Sequence, residues 1–282
     1  PSAINAGTIN VNGTSDLGII ANGNSVVTPA LRATGLNSGN ITITGTGSGA
    51  LYSLNGATIT NTATGTNHIL ITGSGSIGMV VSDVLSTGTN SGRINVTGNN
   101  SAGIYNVGTF NMTDGSITAA APGSVGVYAK PASNTSISGG TITVSNGSTA
   151  LSAESSTIAF ASPAIINVGT NALMFYRNGT GALSGNGTAN INDGGTAFYI
   201  TGGNTPTISS LVTSGNILLN MGTNSTLVEW DQPTGTLSLS ALTGVLGTPN
   251  IANTTVNDLS SGTYRYFILN KSNASLDKGT EL

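Results

Sequence analysis

Cysteine is absent from the 282 residues, and charge nearly so: seven Lys and Arg and ten Asp and Glu make up 6% of the chain, against about 25% in ordinary globular domains. Without cysteine there is no disulfide framework and no thiolate chemistry. The seven cations, Arg32, Arg93, Lys130, Arg177, Arg265, Lys271 and Lys278, are scattered, which removes the basic stripe that nucleic-acid binding needs. No run approaches 18 apolar residues, so nothing crosses a membrane as a helix. No segment keeps a helical period, and coiled-coil heptads are missing. The chain opens at Pro1 directly into a repeat, without initiator Met or signal peptide, and reads as a fragment of something longer.

What is present is Gly, Ser, Thr and Asn in abundance, threaded with Ile, Val and Leu at period two. Low charge and much glycine are also marks of disorder, but disordered chains lack such β-branched alternation, which instead specifies strands with one buried face. The alternation comes in modules, of which Ile94 to Asn106, INVTGNNSAGIYN, is the clearest: strand, corner, strand. Nine positions separate the first apolar residue from a small one in Ile9 to Gly18, Ile41 to Ala50, Ile69 to Gly78, Ile94 to Gly103 and Ile117 to Gly126. Looser copies start at Ile142, Ile166, Ala189 and Ile217, and starting points lie 23 (94 to 117) to 32 (9 to 41) residues apart.

A strand-turn-strand unit cannot bury its apolar face alone, whereas stacked copies share one core. The modules therefore predict an all-β, right-handed parallel β-helix of roughly ten coils, on the order of 50 Å long at ~4.8 Å per coil. Each coil is expected to hold two long strands and one short one, with Gly, Asn and Asp at corners because they tolerate positive φ. Propeller blades need longer repeats of about 40 to 50 residues. Residues 1–257 are assigned to the helix and 258–282, where charge and aromatics rise, to terminal coils or a further section. Ala21 to Leu36, Thr60 to Asn67 and Val81 to Ser91 lengthen particular turns and are expected to be lateral loops. The outward Leu70 and Val80 imply a covering neighbour.

For catalysis the residues offer little. His68 stands beside an apolar strand with no carboxylate in its register and reads as a surface residue. Glu229 and Asp231 flank Trp230 and point to one side of a strand, a spacing that could approach the ~5 Å carboxyl pair of a retaining glycosidase. No face stacks Asp, Lys or Arg across coils, and Gly194-Gly195 does not continue into a calcium-binding nonapeptide. No catalytic residue, metal ligand or cofactor is assigned. Tyr52, Tyr105 and Tyr128 each fall 11 residues after their module starts, with Tyr176 and Tyr199 at 10. They are the candidate ligand-binding residues, an outward aromatic row suited to sugar rings or protein; stacking that only stabilises the rod is the competing account. The Thr42/Thr44, Thr58/Thr60 and Thr141/Thr143 steps are similar to the arrays of β-helical ice-binding proteins but do not recur in every coil, and threonine has ordinary strand preference.

The G-[IV]-Y and I-x-[IV]-x-G units (Gly103-Ile104-Tyr105, Gly126-Val127-Tyr128, Ile41-x-Ile43-x-Gly45), with scarce charge and no cysteine, make the whole chain resemble the passenger domain of a monomeric (type V) autotransporter adhesin of Gram-negative bacteria. The resemblance implies a β-helical stalk exported to the cell surface through a C-terminal outer-membrane barrel, and attachment to host-cell proteins, glycans or other bacteria, self-association included. It brings no catalytic motif. A β-helical glycan-active enzyme (lyase, glycosidase or tailspike-like depolymerase) using Glu229 and Asp231 is the alternative, and a stalk without its own ligand is the third reading.

Overall fold

The computed structural model describes residues 1–24, 32–63, 65, 68–192, 194–201, 211–231, 235–238, 251, 253–261, 263, 265–269 and 274–277, with the backbone alone for 230, 235–238, 265–269 and 274–277. Strands recur in threes and feed three long sheets. Among the described residues, sheet A stacks nine strands from Ser2–Asn5 to Val212–Gly215, sheet B ten from Thr8–Val11 to Thr254–Asp258, and sheet C ten from Leu17–Asn22 to Arg265–Leu269. Every described pairing is parallel, as in the steps Ile94↔Ile117 and Tyr105↔Tyr128. The molecule is a right-handed parallel β-helix. A short two-stranded sheet pairs Gly235–Ser238 with Ala274–Asp277.

The module starts form one inward column of sheet B: Ile9, Ile41, Ile69, Ile94, Ile117, Ile142, Ile166 and Ala189. The next rung is Leu219, not the expected Ile217. The alternation buries both residues, so period two alone cannot choose between them. Strand lengths also differ from expectation. In a typical coil the strands on sheets A and B have four residues, as in Thr109–Met112 and Ser116–Ala119, while the sheet C strand has five or six. Val81 to Ser91 is no lateral loop: Ser82 to Ser86 is a turn leading straight into the sheet A strand Thr87–Asn90. Residues 25–31 of the Ala21 to Leu36 excursion and 64, 66 and 67 of Thr60 to Asn67 lie outside the described residues.

Sheet C explains the small-apolar-aromatic step. Two consecutive residues turn inward at its start, so Gly103 and Ile104 are both buried before Tyr105 faces out. A Cβ on Gly103 would lie 2.6 Å from the Gly126 carbonyl oxygen, and one on Gly126 would lie 2.7 Å from that of Ala150. Hence a small residue is needed there in these coils. The second column, Leu51, Met79, Ile104, Val127, Leu151, Phe175, Phe198 and Val228, is wholly buried. Phe175 and Phe198 meet edge to face at 6.3 Å, a geometry that favours the ring quadrupoles.

Polar ladders close the corners. Asn5, Asn37, Asn61 and Asn90 stack in the sheet A interior, and each amide Nδ2 donates to the next Oδ1 at 2.8, 2.9 and 2.8 Å. At the corner between sheets B and C, the hydroxyls of Ser48, Ser76, Ser101 and Ser124 donate to the carbonyls of Gly13, Gly45, Gly73 and Gly98. These bonds satisfy backbone groups that a corner takes out of the sheet ladder.

Candidate functional site

One column on the outward face of sheet C runs Ile20, Tyr52, Val80, Tyr105, Tyr128, Ser152, Tyr176, Tyr199 and Glu229. All five candidate tyrosines stand in it, each half-buried. Tyr176 and Tyr199 share the register of the others, although they lie one residue nearer their module starts. The preceding corner absorbs the difference: it is Thr97-Gly98-Asn99-Asn100-Ser101 before Tyr105 but only Gly169-Thr170-Asn171-Ala172 before Tyr176. Val80 is 7% exposed between Tyr52 and Tyr105, so the neighbours implied for it are its own column mates.

The rings form two pairs. Tyr105 and Tyr128 lie 5.6 Å apart at 59°, and Tyr176 and Tyr199 lie 5.6 Å apart at 14°, a parallel stack. Each pair has a carboxylate on the following coil. The Tyr128 hydroxyl donates to Glu154 Oε2 at 2.8 Å, and Lys130 Nζ makes an ion pair with the same oxygen while lying 5.5 Å from the Tyr128 ring centroid. The Tyr199 hydroxyl donates to Asp231 Oδ2 at 2.8 Å, and Thr201 Oγ1 bonds the Tyr176 hydroxyl at 2.8 Å. Burial and then the hydrogen bond to the carboxylate push both the Tyr128 and Tyr199 phenols above their ordinary value. Glu154 is held below its own by the bonds from Lys130 and Tyr128.

Beside the second pair runs an open groove of ≈ 540 Å³ whose lining includes Thr149, Thr196, Thr226, Tyr176, Tyr199 and Glu229. Thr196 Oγ1 donates to Glu229 Oε2 at 3.4 Å. The three threonines share one column of sheet C, with Leu173 between Thr149 and Thr196. Sequence reasoning did not single them out, because no local spacing marks residues that meet only when coils stack. The pairing of Tyr128 with Glu154, 26 residues on, and of Tyr199 with Asp231, 32 on, was equally hidden by variable coil length.

The other candidates disperse. Glu229 and Asp231 both face outward from the strand Thr226–Asp231, but each accepts a hydroxyl, from Thr196 and Tyr199 respectively. His68 sits at the edge of a sheet B strand, its backbone N–H donating to Asn40 Oδ1 at 3.0 Å. Thr58 and Thr60 lie on sheet A beside Thr87 and Thr89, whereas Thr42, Thr141 and Thr143 lie on sheet B; the threonine steps therefore make no single flat array. Among the described residues, no three of His, Asp and Glu gather closely enough to hold a metal ion.

The architecture thus defines a right-handed β-helix bearing a tyrosine column and an open groove on one outer sheet. No family model, curated protein or solved structure matches the chain.

Proposed function

We propose that this chain is a β-helical segment of a bacterial surface adhesin, attaching by non-catalytic contact through the outer face of sheet C. The observation that carries the reading is the parallel Tyr176–Tyr199 stack at the side of an open groove whose lining also includes Thr149 and Glu229. Aromatic rings offer a flat apolar surface to one face of a sugar or to a protein side chain, and hydroxyls and a carboxylate orient the polar groups around it. Glu229 and Asp231 are engaged by hydroxyl donors, which favours holding a ligand over turning one over.

The partner in this reading is a host-cell surface protein or glycan, or the surface of another bacterium, with a second copy of the rod as a further partner. Scarce charge, no cysteine and coils that each pair with the previous one suit export across the outer membrane of a Gram-negative cell, the parent being held there by a barrel. Binding of the purified chain to immobilised host glycans, host surface proteins and bacterial cells tests the proposal, with release of reducing sugar assayed in parallel. Saturable binding without product supports it. Sugar release points to the enzyme reading, and binding to none of the surfaces points to a stalk; either result overturns it.

A further inference from the structure

The sheet C column holds one three-residue arrangement twice. Tyr105 and Tyr128 occupy adjacent coils and Tyr128 donates to Glu154; Tyr176 and Tyr199 occupy adjacent coils and Tyr199 donates to Asp231. In both, the carboxylate is on the following coil, two residues past the column: Glu154 follows Ser152, and Asp231 follows Glu229. Ring centroids are 5.6 Å apart in each pair. Ser152 separates the two pairs, and Val80 separates both from Tyr52, whose other neighbour is Ile20.

A phenol gives up an electron most readily when its proton has an acceptor already in place, because the oxidised phenol is a strong acid. Each pair supplies that acceptor at 2.8 Å and a second half-buried phenol whose ring centroid is 5.6 Å from that of the first. We infer that Tyr105–Tyr128 and Tyr176–Tyr199 are sites of oxidative cross-linking, where a peroxidase-type one-electron oxidant acting with hydrogen peroxide joins adjacent coils through dityrosine. Each ring loses one electron to the oxidant. The Tyr128 and Tyr199 protons pass to Glu154 and Asp231, and those of Tyr105 and Tyr176 pass to water. The two phenoxyl radicals combine at ring carbons ortho to oxygen; the hydrogens on those carbons leave as protons, and the oxygens are reprotonated as aromaticity returns. In sum two hydrogen atoms leave the protein and one hydrogen peroxide becomes two waters. The product is a covalent staple across a coil boundary, where a solenoid otherwise depends on nearest-neighbour contacts alone.

The test treats the dilute chain with peroxidase and hydrogen peroxide, isolates the monomer, and maps linked peptides by mass spectrometry while dityrosine fluorescence reports the rate. Tyr105–Tyr128 and Tyr176–Tyr199 links are expected, with Tyr52 uncoupled. Asp231→Asn should slow the second link several-fold and leave the first unchanged, Glu154→Gln the reverse, and Tyr199→Phe should abolish only the second. Since each pair is the other's control within one folded chain, local damage is told apart from the proposed role. Links found only between chains, coupling of Tyr52 as fast as the pairs, or rates indifferent to both carboxylate variants would overturn the inference.

Discussion

Tyr176 and Tyr199 lie in successive coils of sheet C with their rings 5.6 Å apart and 14° from parallel. Nothing local in the chain brings them together: the contact exists because Ile166 and Ala189 hold the same position in sheet B and the corners after them have equal length. A single inserted residue between Val168 and Leu173 would have to be absorbed at the corner or would turn Tyr176 inward.

The small position of sheet C is the first test of this packing. Gly103→Val places a branched side chain against the Gly126 carbonyl oxygen, 2.6 Å from the new Cβ, and against Ile117 Cγ2 at 2.8 Å. Overpacking of this kind costs about 1–3 kcal/mol. Denaturant unfolding should show that loss. A variant as stable as the parent would mean that the coils can spread freely here.

The buried amide ladder is the second. Asn61→Ala removes the acceptor of Asn37 Nδ2 and the donor to Asn90 Oδ1, both fully buried. Each orphaned group costs about 1–3 kcal/mol. The partly buried ladder Asn167, Asn190, Asn220 can recruit water instead. Asn190→Ala should therefore cost less than Asn61→Ala, within about 0.5 kcal/mol of the parent if it behaves as a surface site. Equal losses in the two variants would contradict the account.

Legibility in the sequence follows the same division. The inward column of sheet B and the row of five tyrosines could be read, because period two and a nearly constant module expose them. The asparagine ladder could not: Asn5, Asn37, Asn61 and Asn90 sit near corners, where asparagine has its own reason to occur, and only stacking turns them inward as a set. The groove threonines were missed for the same reason. The start of the last module was misplaced by two residues because Ile217 and Leu219 are buried alike.

Acid should act through Asp83. Burial disfavours its charge, but the Ser86 hydroxyl and the backbone N–H groups of Leu85 and Asn55, at 2.7, 2.9 and 2.6 Å, outweigh that and hold the carboxyl below its ordinary value. A depressed carboxylate contributes stability that is present above its unfolded value of about 3.9 and is lost as pH falls through the folded one. Asp83→Asn should flatten the acid limb of a melting-temperature profile, by under about 1 kcal/mol since solvent screens this turn. An unchanged limb would remove Asp83 from the explanation.

Alkali should act through Tyr199, whose phenol is raised. Its contribution is full below about pH 10, the unfolded value, and is lost as pH rises through the folded one. Tyr199→Phe is expected to flatten the alkaline limb while leaving neutral circular dichroism unchanged. A limb of unaltered slope would show that the phenol, raised by its burial and then by its bond to Asp231, contributes nothing to it.

The most direct test of the account compares the parent chain with a Tyr176→Ala/Tyr199→Ala variant for binding to immobilised host glycans, host surface proteins and bacterial cells, with unfolding curves run on both. Saturable binding by the parent is expected, with a variant that keeps its cooperative unfolding and β-sheet spectrum but binds at least tenfold more weakly, a loss of about 1.4 kcal/mol or more. A folded variant that binds as tightly as the parent would contradict it.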